Sequence, residues 1–327
     1  MQAAFYTRQG LAAEVLQVGE QPTPQPGAGE VRVRLRTSGV NPSDWKVRKG
    51  GSGRTLGYPL VIPHSDGAGV IDAAGEGVPA SRIGERVWTW NAQWNRAGGT
   101  AAQWIALPSA QAVTMPPDLD DAAGACLGIP LFTAVQAVRY AQLRTGMRVL
   151  VSGGAGAVSH YAIQAAKARC ATVLTTVSGD AKADHARSAG ADHVINYRTE
   201  DVGERVQAIT EGRGVDAVIE MDISTNAALL PRVLRTHGTL VVYGVTKHEA
   251  TMPVFWLMRN MITMRFIYVY ELEAEDRAGT LDEINTLLRG DKLQHAVALR
   301  LPLKDIARAH ELVEKGAVVG NVVLDIP

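Results

Sequence analysis

The stretch that most constrains the fold of this chain is VLVSGGAGAVSHYAIQ, residues 149–164. An apolar run typical of a buried strand leads into a glycine-rich turn and then into the start of a helix. Gly153, Gly154 and Gly156 follow the strand directly, so backbone N–H groups and the helix dipole can face a phosphate group. Ser159 stands where the fingerprint has its last glycine, which lets helix and strand pack closely. Because serine is small, we predict a dinucleotide-binding turn with a slightly shifted helix.

The region around this turn, residues 124–265, alternates short apolar strands with helical segments. The predicted strands are RVLVSG, ATVLTTV, DHVINY, VDAVIEM and GTLVVYGV. Strands separated by helices form parallel sheets through right-handed crossovers, which predicts a doubly wound α/β domain.

The first 123 residues have a different sequence pattern, typical of antiparallel β structure. Val31, Val33 and Leu35 alternate with three arginines, which is the period of a half-buried strand with its arginines in solvent. Frequent glycines and prolines predict the many turns of a compact β-barrel. The tail, residues 266–327, ends in the strand NVVLDI and is too short for a third domain, so we expect it to rejoin the first domain.

Composition excludes several classes of protein. The 327 residues suit two domains, and 33 basic residues balance 33 acidic ones, so no global field attracts nucleic acid or a membrane surface. Cys126 and Cys170 are the only cysteines, too few for a disulfide framework or a four-cysteine zinc site. With no signal-like N-terminus and no run of about 20 apolar residues, we expect a cytoplasmic protein that does not span a membrane.

The end of the second predicted strand bears on which dinucleotide binds. NAD-binding turns usually place a carboxylate there to hold the ribose 2′-OH, whereas this strand ends in Ser178 and Gly179. Lys182 and Tyr197 can reach a 2′-phosphate, which favours NADPH. Asp180, two residues beyond Ser178, is the main argument for NADH.

Taken together, these segments resemble the medium-chain dehydrogenase/reductase superfamily, and within it the zinc-free quinone oxidoreductases of zeta-crystallin type. The resemblance is carried by GVNPSDWKVRKG, IPHSDGAGVI, GIPLFTAVQAV, VLVSGGAGAV, GADHVINYR, GVDAVIEM, GTLVVYGV and LPLKDIARAHELVEKGAVVGNVVLDI. It implies a GroES-like β-barrel catalytic domain (1–123 and 266–327), a Rossmann domain (124–265) and NADPH bound in a cleft.

Zinc-dependent relatives bind their catalytic metal through a cysteine near GVNPSD, a histidine in a GHE motif and a cysteine before FTA. The corresponding positions here are Asn41, Ser65 and Ile129, which cannot form a tight zinc site. His64, next to the motif position, stands alone, which favours a structural or cleft-lining role. Without a Lewis acid, the chemistry favours acceptors that delocalise an added hydride themselves, such as quinones and enones.

The resemblance also implies roles for individual residues. Ala155, Ala157 and Val158 would lie with the glycines along the pyrophosphate, and Ser178, Lys182 and Tyr197 around the 2′-phosphate and ribose. Further cofactor contacts would come from Thr133, Asn226, Tyr243, Gly244, Val245, Thr246, Ile267, Tyr268 and Val269.

Two residues are candidates for catalysis. Asn41 occupies a position where the family keeps an asparagine at the cleft floor, and Lys46 replaces a tyrosine that is common in quinone reductases. Lysine can donate to a developing enolate or bind a phosphate, which makes reduction of the double bond of an alkenal or alkenone an alternative to quinone reduction. Lys46 is alternatively a solvated lysine on a short helix.

Alternatives of another class are an NADPH-binding sensor, structural or RNA-binding protein. Neutral net charge and the lack of an aromatic RNA-binding motif argue against RNA. The segment FWLMRNMITMRFIYVY predicts a helix and an apolar edge strand. In the family such a strand pairs between subunits, which implies a homodimer.

Overall fold

The alternating segment near the N-terminus forms an eleven-residue strand in which Val31 and Val33 are fully buried while Arg34 and Arg36 are exposed. The computed structural model describes residues 1–50, 55–290 and 293–327. The chain divides into two units, the first formed by Met1–Pro130 with His295–Pro327 and the second by Leu131–Gln294.

Short strands dominate the chain up to residue 130. The strands are β1 (Gln2–Phe5), β2 (Gln17–Glu20), β3 (Glu30–Val40), β4 (Asp66–Ala74), β5 (Arg86–Thr89), β6 (Trp104–Pro108) and β7 (Ala112–Thr114). The helices are α1 (Ala12–Val15), α2 (Pro42–Lys49) and α3 (Asp121–Gly124). Short 3₁₀ turns occupy Ala80–Arg82 and Ser109–Gln111, and a π-turn covers Leu127–Leu131.

Strands and helices alternate through the second unit. Its strands are β8 (Arg148–Val151), β9 (Thr172–Val177), β10 (His193–Asn196), β11 (Val215–Glu220), β12 (Leu234–Val242) and β13 (Thr263–Phe266). Its helices are α4 (Phe132–Tyr140), α5 (Ala157–Ala168), α6 (Asp180–Ser188), α7 (Val202–Ile209), α8 (Ile223–Asn226), α9 (Leu230–Val233), α10 (Val254–Arg259) and α11 (Ala274–Arg289). The tail adds β14 (Val297–Pro302), α12 (Ile306–Glu314) and β15 (Asn321–Asp325), and 3₁₀ turns cover Ala227–Leu229, Val269–Glu271 and Leu303–Asp305.

The first unit is built on a seven-stranded sheet in the order β14-β15-β3-β4-β5-β7, with β6 also paired to β3. The central strand β3 is antiparallel to β4, β6 and β15. The last strand of the chain therefore belongs to the sheet of the N-terminal segment. The apolar clusters in the described part of this unit include one around Val33 and Leu107, one around Ile306 and Leu324, and a smaller one around Tyr6.

The second unit is a six-stranded parallel sheet in the order β10-β9-β8-β11-β12-β13. In β8, Val151 is paired with Thr175 of β9 on one side and Ile219 of β11 on the other. The chain runs first to one side of β8 and then to the other, so the turn after β8 lies at the topological switch point, where α/β sheets bind ligands. The predicted fold class, a doubly wound α/β domain with a mainly antiparallel β domain, is confirmed.

The unit boundaries, at residues 130/131 and 294/295, differ from the sequence-based domain boundaries of 123/124 and 265/266. Helix α11 accounts for the larger difference because it packs on α4 of the second unit. Tyr140 donates to Asp276 at 2.5 Å, and the hydroxyl of buried Thr280 donates to the side-chain oxygen of Gln136. No helix among the described residues is long and apolar enough to cross a membrane.

Candidate active site

The turn between β8 and α5 is held tightly against β9. Gly153 has a φ of 65°, in the left-handed region that glycine tolerates, and its N–H donates to Thr176 Oγ1 at 3.0 Å. A Cβ on Gly154 would lie 2.3 Å from Thr175 Oγ1, so only glycine fits there. The turn thus exposes Gly156 at the beginning of α5. The first backbone N–H groups of an α-helix have no partner within the helix, which suits this end of α5 to a pyrophosphate.

Ser159 replaces the third glycine without opening the packing, because it is fully buried and bonded twice. Its hydroxyl donates to the carbonyl of Ser152 at 2.8 Å, and its oxygen lies 2.8 Å from the Tyr243 hydroxyl. A serine hydroxyl has one proton, so Tyr243 donates to Ser159. Burial raises the pKa of Tyr243, which keeps its phenol protonated. The side chain of Tyr243 therefore links the end of β12 to α5. The backbone that follows is bonded to the loop after β11, since the Gly244 carbonyl accepts from Ile223 at 3.3 Å and the Thr246 N–H donates to Asp222 Oδ1 at 2.9 Å.

The predicted 2′-phosphate residues lie together at the carboxyl ends of β9 and β10. Lys182 Nζ donates to Ser178 Oγ at 3.0 Å, and the backbone N–H of Tyr197 donates to Val177 at 3.1 Å. Asp180 is the exposed first residue of α6. Across residues 1–50, 55–290 and 293–327, no carboxylate oxygen lies within 4.0 Å of Lys182 Nζ. A cation without an ion-pair partner beside a hydroxyl suits a phosphate.

Asp222 joins the loops after β11 and β12, and sequence reasoning missed it. Its carboxylate accepts bonds from the hydroxyls of Ser224 at 2.5 Å, Thr225 at 2.6 Å and Thr246 at 2.9 Å. Partial burial raises the pKa of Asp222, but these bonds outweigh it and hold the pKa below its usual range. The run DIST, an aspartate with hydroxyls two and three residues later, was the available signal for an Asx-type turn.

Two of the predicted cofactor residues are less open to a ligand than their side chains suggest. Asn226 donates its amide to Glu220 Oε1 at 2.9 Å, and Thr133 is buried in the first turn of α4.

A Cβ on Gly244 would lie 2.1 Å from the carbonyl of Met221, so glycine lets the loops after β11 and β12 approach closely.

The segment after β13 continues the sheet for one more residue. Ile267 donates its N–H to Val242 at 2.8 Å, which places it beside the loop that begins at Tyr243. Ile267 and Val269 are buried, Tyr268 is half exposed, and Val245 is exposed.

In the first unit, Asn41 is a buried residue that immediately precedes α2. Its backbone N–H donates to Asp44 Oδ2 at 2.6 Å, which fixes the residue as the helix N-cap. Its side-chain amide donates to Asp66 Oδ2 at 2.7 Å. Lys46 lies on the same helix, with Nζ 5.9 Å from the centroid of the Trp45 ring. The structure thus gives Asn41 a partner that sequence reasoning did not find.

Asp66 is fully buried at the start of β4. Burial raises its pKa to about 7, against the opposing effect of the Ile129 N–H and the Asn41 amide. A carboxyl group with this pKa carries a proton part of the time near neutral pH, and either form accepts from Asn41. Asp66 occupies the glutamate position of the GHE motif, which was the signal for it in the sequence.

The residues at the three zinc-ligand positions do not fit the metal. Asn41 gives its amide to Asp66, Ser65 offers only a hydroxyl, and Ile129 offers an alkyl group, whereas zinc prefers thiolate, imidazole and carboxylate. Cys126 is buried with its thiol 3.3 Å from the Ala122 carbonyl, and burial raises its pKa. In the part of the chain that the structure describes, no three histidine, cysteine or acidic residues form a group able to hold a metal ion.

His64 is not alone, in contrast to its sequence-based interpretation. Its Nε2 lies 2.9 Å from Nε2 of His310 on α12, 246 residues away. No sequence pattern near His64 indicates this partner.

Comparison with known proteins assigns the family. The model for the alcohol dehydrogenase GroES-like domain matches residues 27–117, and the model for zinc-binding dehydrogenases matches residues 157–286. A 2-haloacrylate reductase from Burkholderia sp is 30% identical over 310 residues, with 91% of each chain covered. The chain belongs to the medium-chain dehydrogenase/reductase superfamily. The resemblance seen in the sequence is thereby confirmed.

Two solved structures of this superfamily cover nearly all of the chain. An NAD-dependent alcohol dehydrogenase has a TM-score of 0.90 and 28% identity, with both chains covered completely. The Escherichia coli quinone oxidoreductase, solved in complex with NADPH, has a TM-score of 0.88 and 26% identity, with 99% of this chain and 100% of that chain covered. These relatives represent both dinucleotides and more than one substrate class, so the residues of this chain must discriminate between them.

Proposed function

We propose that this protein is an NADPH-dependent, zinc-independent reductase that transfers a hydride to a quinone or a related conjugated carbonyl. The observation that carries the proposal is the donor set at the zinc positions, where a buried Asn41–Asp66 pair takes the place of metal ligands. NADPH supplies a hydride when bound, and the acceptor takes up a proton as well, which yields a quinol or a saturated carbonyl.

The cofactor preference rests on Lys182, in the first turn of α6, and on Ser178, which directly follows β9. They offer a cation and a hydroxyl to a 2′-phosphate, whereas the nearest carboxylate in sequence, Asp180, is exposed on the first turn of α6. The NADPH complex of the similar quinone oxidoreductase supports this choice. The pyrophosphate would be held by the backbone N–H groups of Ala155, Ala157 and Val158, because those of the three glycines bond within the protein.

In this proposal Asn41 acts on the acceptor oxygen. An amide has two N–H groups, and one is committed to Asp66, which leaves the second to donate to an oxygen on which negative charge develops. Because Asp66 fixes the amide, the donor is oriented before the substrate binds. Quinones and enones delocalise the charge of the added hydride, so a hydrogen-bond donor can stabilise the resulting anion. The alkoxide of a simple alcohol would need a Lewis acid instead.

A second candidate is reduction of the carbon–carbon double bond of an activated alkene. The similarity to a 2-haloacrylate reductase favours it, as does Lys46, whose ammonium group can pair with a carboxylate or an enolate. Both candidates use the same cofactor site and differ only in the acceptor.

The decisive experiment follows the absorbance of reduced nicotinamide with purified protein, EDTA and a panel of acceptors. We expect oxidation of NADPH with benzoquinone or phenanthrenequinone, at least tenfold less efficiently with NADH, and no loss of rate to the chelator. Faster turnover with an alkenone or 2-chloroacrylate would select the second candidate. Activity lost to chelator and restored by zinc would refute the zinc-independent mechanism, and tight NADPH binding without any turnover would assign a sensor or structural role.

A further inference from the structure

A buried chain of hydrogen bonds runs through the first unit, from α12 to the beginning of β4. Its members are His310, His64, Ser38 and Thr100, and all four are fully buried. The contacts are 2.9 Å between the two imidazoles, 2.8 Å from His64 Nδ1 to Ser38 Oγ, and 2.8 Å from Ser38 Oγ to Thr100 Oγ1. Thr100 Oγ1 then donates to the backbone carbonyl of Asp66 at 2.6 Å.

The direction of every bond in this chain follows from its last acceptor. A carbonyl only accepts, so Thr100 uses its single hydroxyl proton on Asp66 and must accept from Ser38. Ser38 in turn accepts from Nδ1–H of His64. Nε2 of a neutral His64 then carries only a lone pair, which accepts from Nε2–H of His310.

Both imidazoles are neutral, as this ordering requires. Burial lowers the pKa of His64 to about 3. Burial, His64 and nearby Arg48 hold the pKa of His310 well below its usual range. Among the residues that the structure describes, Nδ1 of His310 has no hydrogen-bond partner, which fits an unprotonated nitrogen facing the core.

The backbone at His64 needs this support. Its φ is 78°, a left-handed conformation that costs a residue with a Cβ about 1 kcal/mol or more. The carbonyl of His64 accepts the N–H of Thr100 at 2.9 Å, so the same two segments are joined through backbone and side chains. Two residues further along the chain, the carboxyl group of Asp66 accepts a hydrogen bond from the Asn41 amide.

We propose that His310 is a positioning residue for the reaction, which acts through His64, Ser38 and Thr100 to fix Asp66 and thereby the amide of Asn41. This inference rests on the proposed function, in which Asn41 donates to the acceptor oxygen. Nε2–H of His310 is the first donor of the chain. Without it, Nε2 of His64 is a buried acceptor with no partner and the imidazole ring loses one of the two bonds that hold it, which weakens its bond to Ser38.

The test compares His310→Leu, which removes the donor, with His310→Gln, which returns an N–H near the same place. We expect His310→Leu to lower kcat on the order of 10- to 100-fold with little change in KM for NADPH, and His310→Gln to recover most of the loss. Ile306→Ala, a buried apolar change on the same helix, serves as the control: it should lower Tm and leave kcat unchanged. Equal kcat values for the Leu and Gln variants would overturn the proposal.

A double variant separates positioning from general damage. If His310 acts through Asn41, adding His310→Leu to Asn41→Ala should lower kcat no further than Asn41→Ala does alone. If the two substitutions instead lower kcat by the product of their separate factors, the histidine does not act through Asn41. Ser38→Ala, which cuts the chain in its middle, should repeat the result and replaces His310→Leu if that variant does not fold.

A spectroscopic measurement distinguishes failure of this inference from failure of the proposed function. The infrared carboxyl bands of Asp66, assigned by difference against Asp66→Asn, report its hydrogen bonding without turnover. Absence of turnover in the unmodified protein would refute the reductase proposal. A shift of these bands in His310→Leu or Ser38→Ala is expected if the chain positions Asp66, and unchanged bands in both variants would refute the positioning role.

Discussion

At the scale of single residues, we propose that Lys182 discriminates between the two dinucleotides. It is the one side chain among the three predicted 2′-phosphate residues with a full charge, and its bond to Ser178 orients it at the end of β9. A hydrogen bond to a charged group contributes about 1.5–3 kcal/mol, which is enough to set a preference for one cofactor.

Lys182→Ala should therefore raise KM for NADPH on the order of tenfold or more and leave KM for NADH nearly unchanged. Steady-state kinetics with both cofactors at a saturating acceptor concentration measure this. Lys304→Ala, an exposed lysine of the first unit, is the matched control. A parallel rise for both cofactors would mean that Lys182 contacts a group they share.

Asp66 links the candidate site to the stability of the first unit. Its pKa of about 7 lies above the ordinary value of 3.8, so the folded protein holds a proton that the unfolded chain releases between these values. The contribution of Asp66 to the free energy of unfolding therefore falls as pH rises from about 4 to about 7, and changes little above.

Asp66→Asn should reduce this pH dependence because the amide stays neutral. Urea unfolding at about pH 5 and about pH 8 measures the difference, which reaches about 3 kcal/mol because about two pH units of the shift lie in this range, at about 1.4 kcal/mol each. Buried Asp44 also has a pKa raised by burial and by the charge of Asp66, so the difference reports Asp66 together with its effect on Asp44. Identical pH dependence in the two proteins would show that Asp66 is ionised in the folded state.

At the scale of elements, the turn after β8 shows how a departure from a motif is accommodated. Ser159 was expected to shift α5 slightly, and the structure gives it two bonds, to Ser152 and to Tyr243. The sequence predicted the strand, the glycine turn and the helix correctly because each has a local pattern. It could not indicate Tyr243 as the partner of Ser159, since their proximity depends on the register of two parallel strands.

The outer strand β13 is the element that bears on assembly. Among the strands that the structure describes, it pairs only with β12, and it ends the six-stranded sheet. Large apolar side chains are exposed on β13, on α10 and in the segments directly after them, namely Phe266, Tyr268, Val254, Phe255, Met258 and Met261. An apolar edge strand is normally covered, and we propose that a second copy of the chain covers it.

Sedimentation equilibrium should accordingly show a homodimer, and Phe266→Asp should shift it toward monomer. Tyr58→Asp, at an exposed aromatic residue of the first unit, is the control that should not. A monomeric unmodified protein at micromolar concentration would refute the dimer.

At the scale of the whole molecule, the boundaries of the two units are set by tertiary packing more than by the change in sequence pattern. The composition changes near residue 123, yet the segment up to Pro130 belongs to the first unit. Gly39 shows why, because a Cβ there would lie 2.1 Å from the carbonyl of Ala125. Segment 266–294 was assigned to the catalytic domain, but α11 is bonded to α4 through Tyr140 and Asp276. Such contacts connect distant parts of the chain and have no local signature.

The sequence by itself determined the alternation of strands and helices, the glycine turn at Gly153 to Gly156, and the absence of zinc ligands at positions 41, 65 and 129. These are properties of residue type and local spacing, which a single chain displays directly. Only the tertiary structure decided which polar groups meet. Asn41 and Asp66 are 25 residues apart, Ser159 and Tyr243 are 84, and His64 and His310 are 246. Their hydrogen bonds depend on strand register and on the packing of helices against sheets, because burial requires each polar group to find a partner in space and not in sequence.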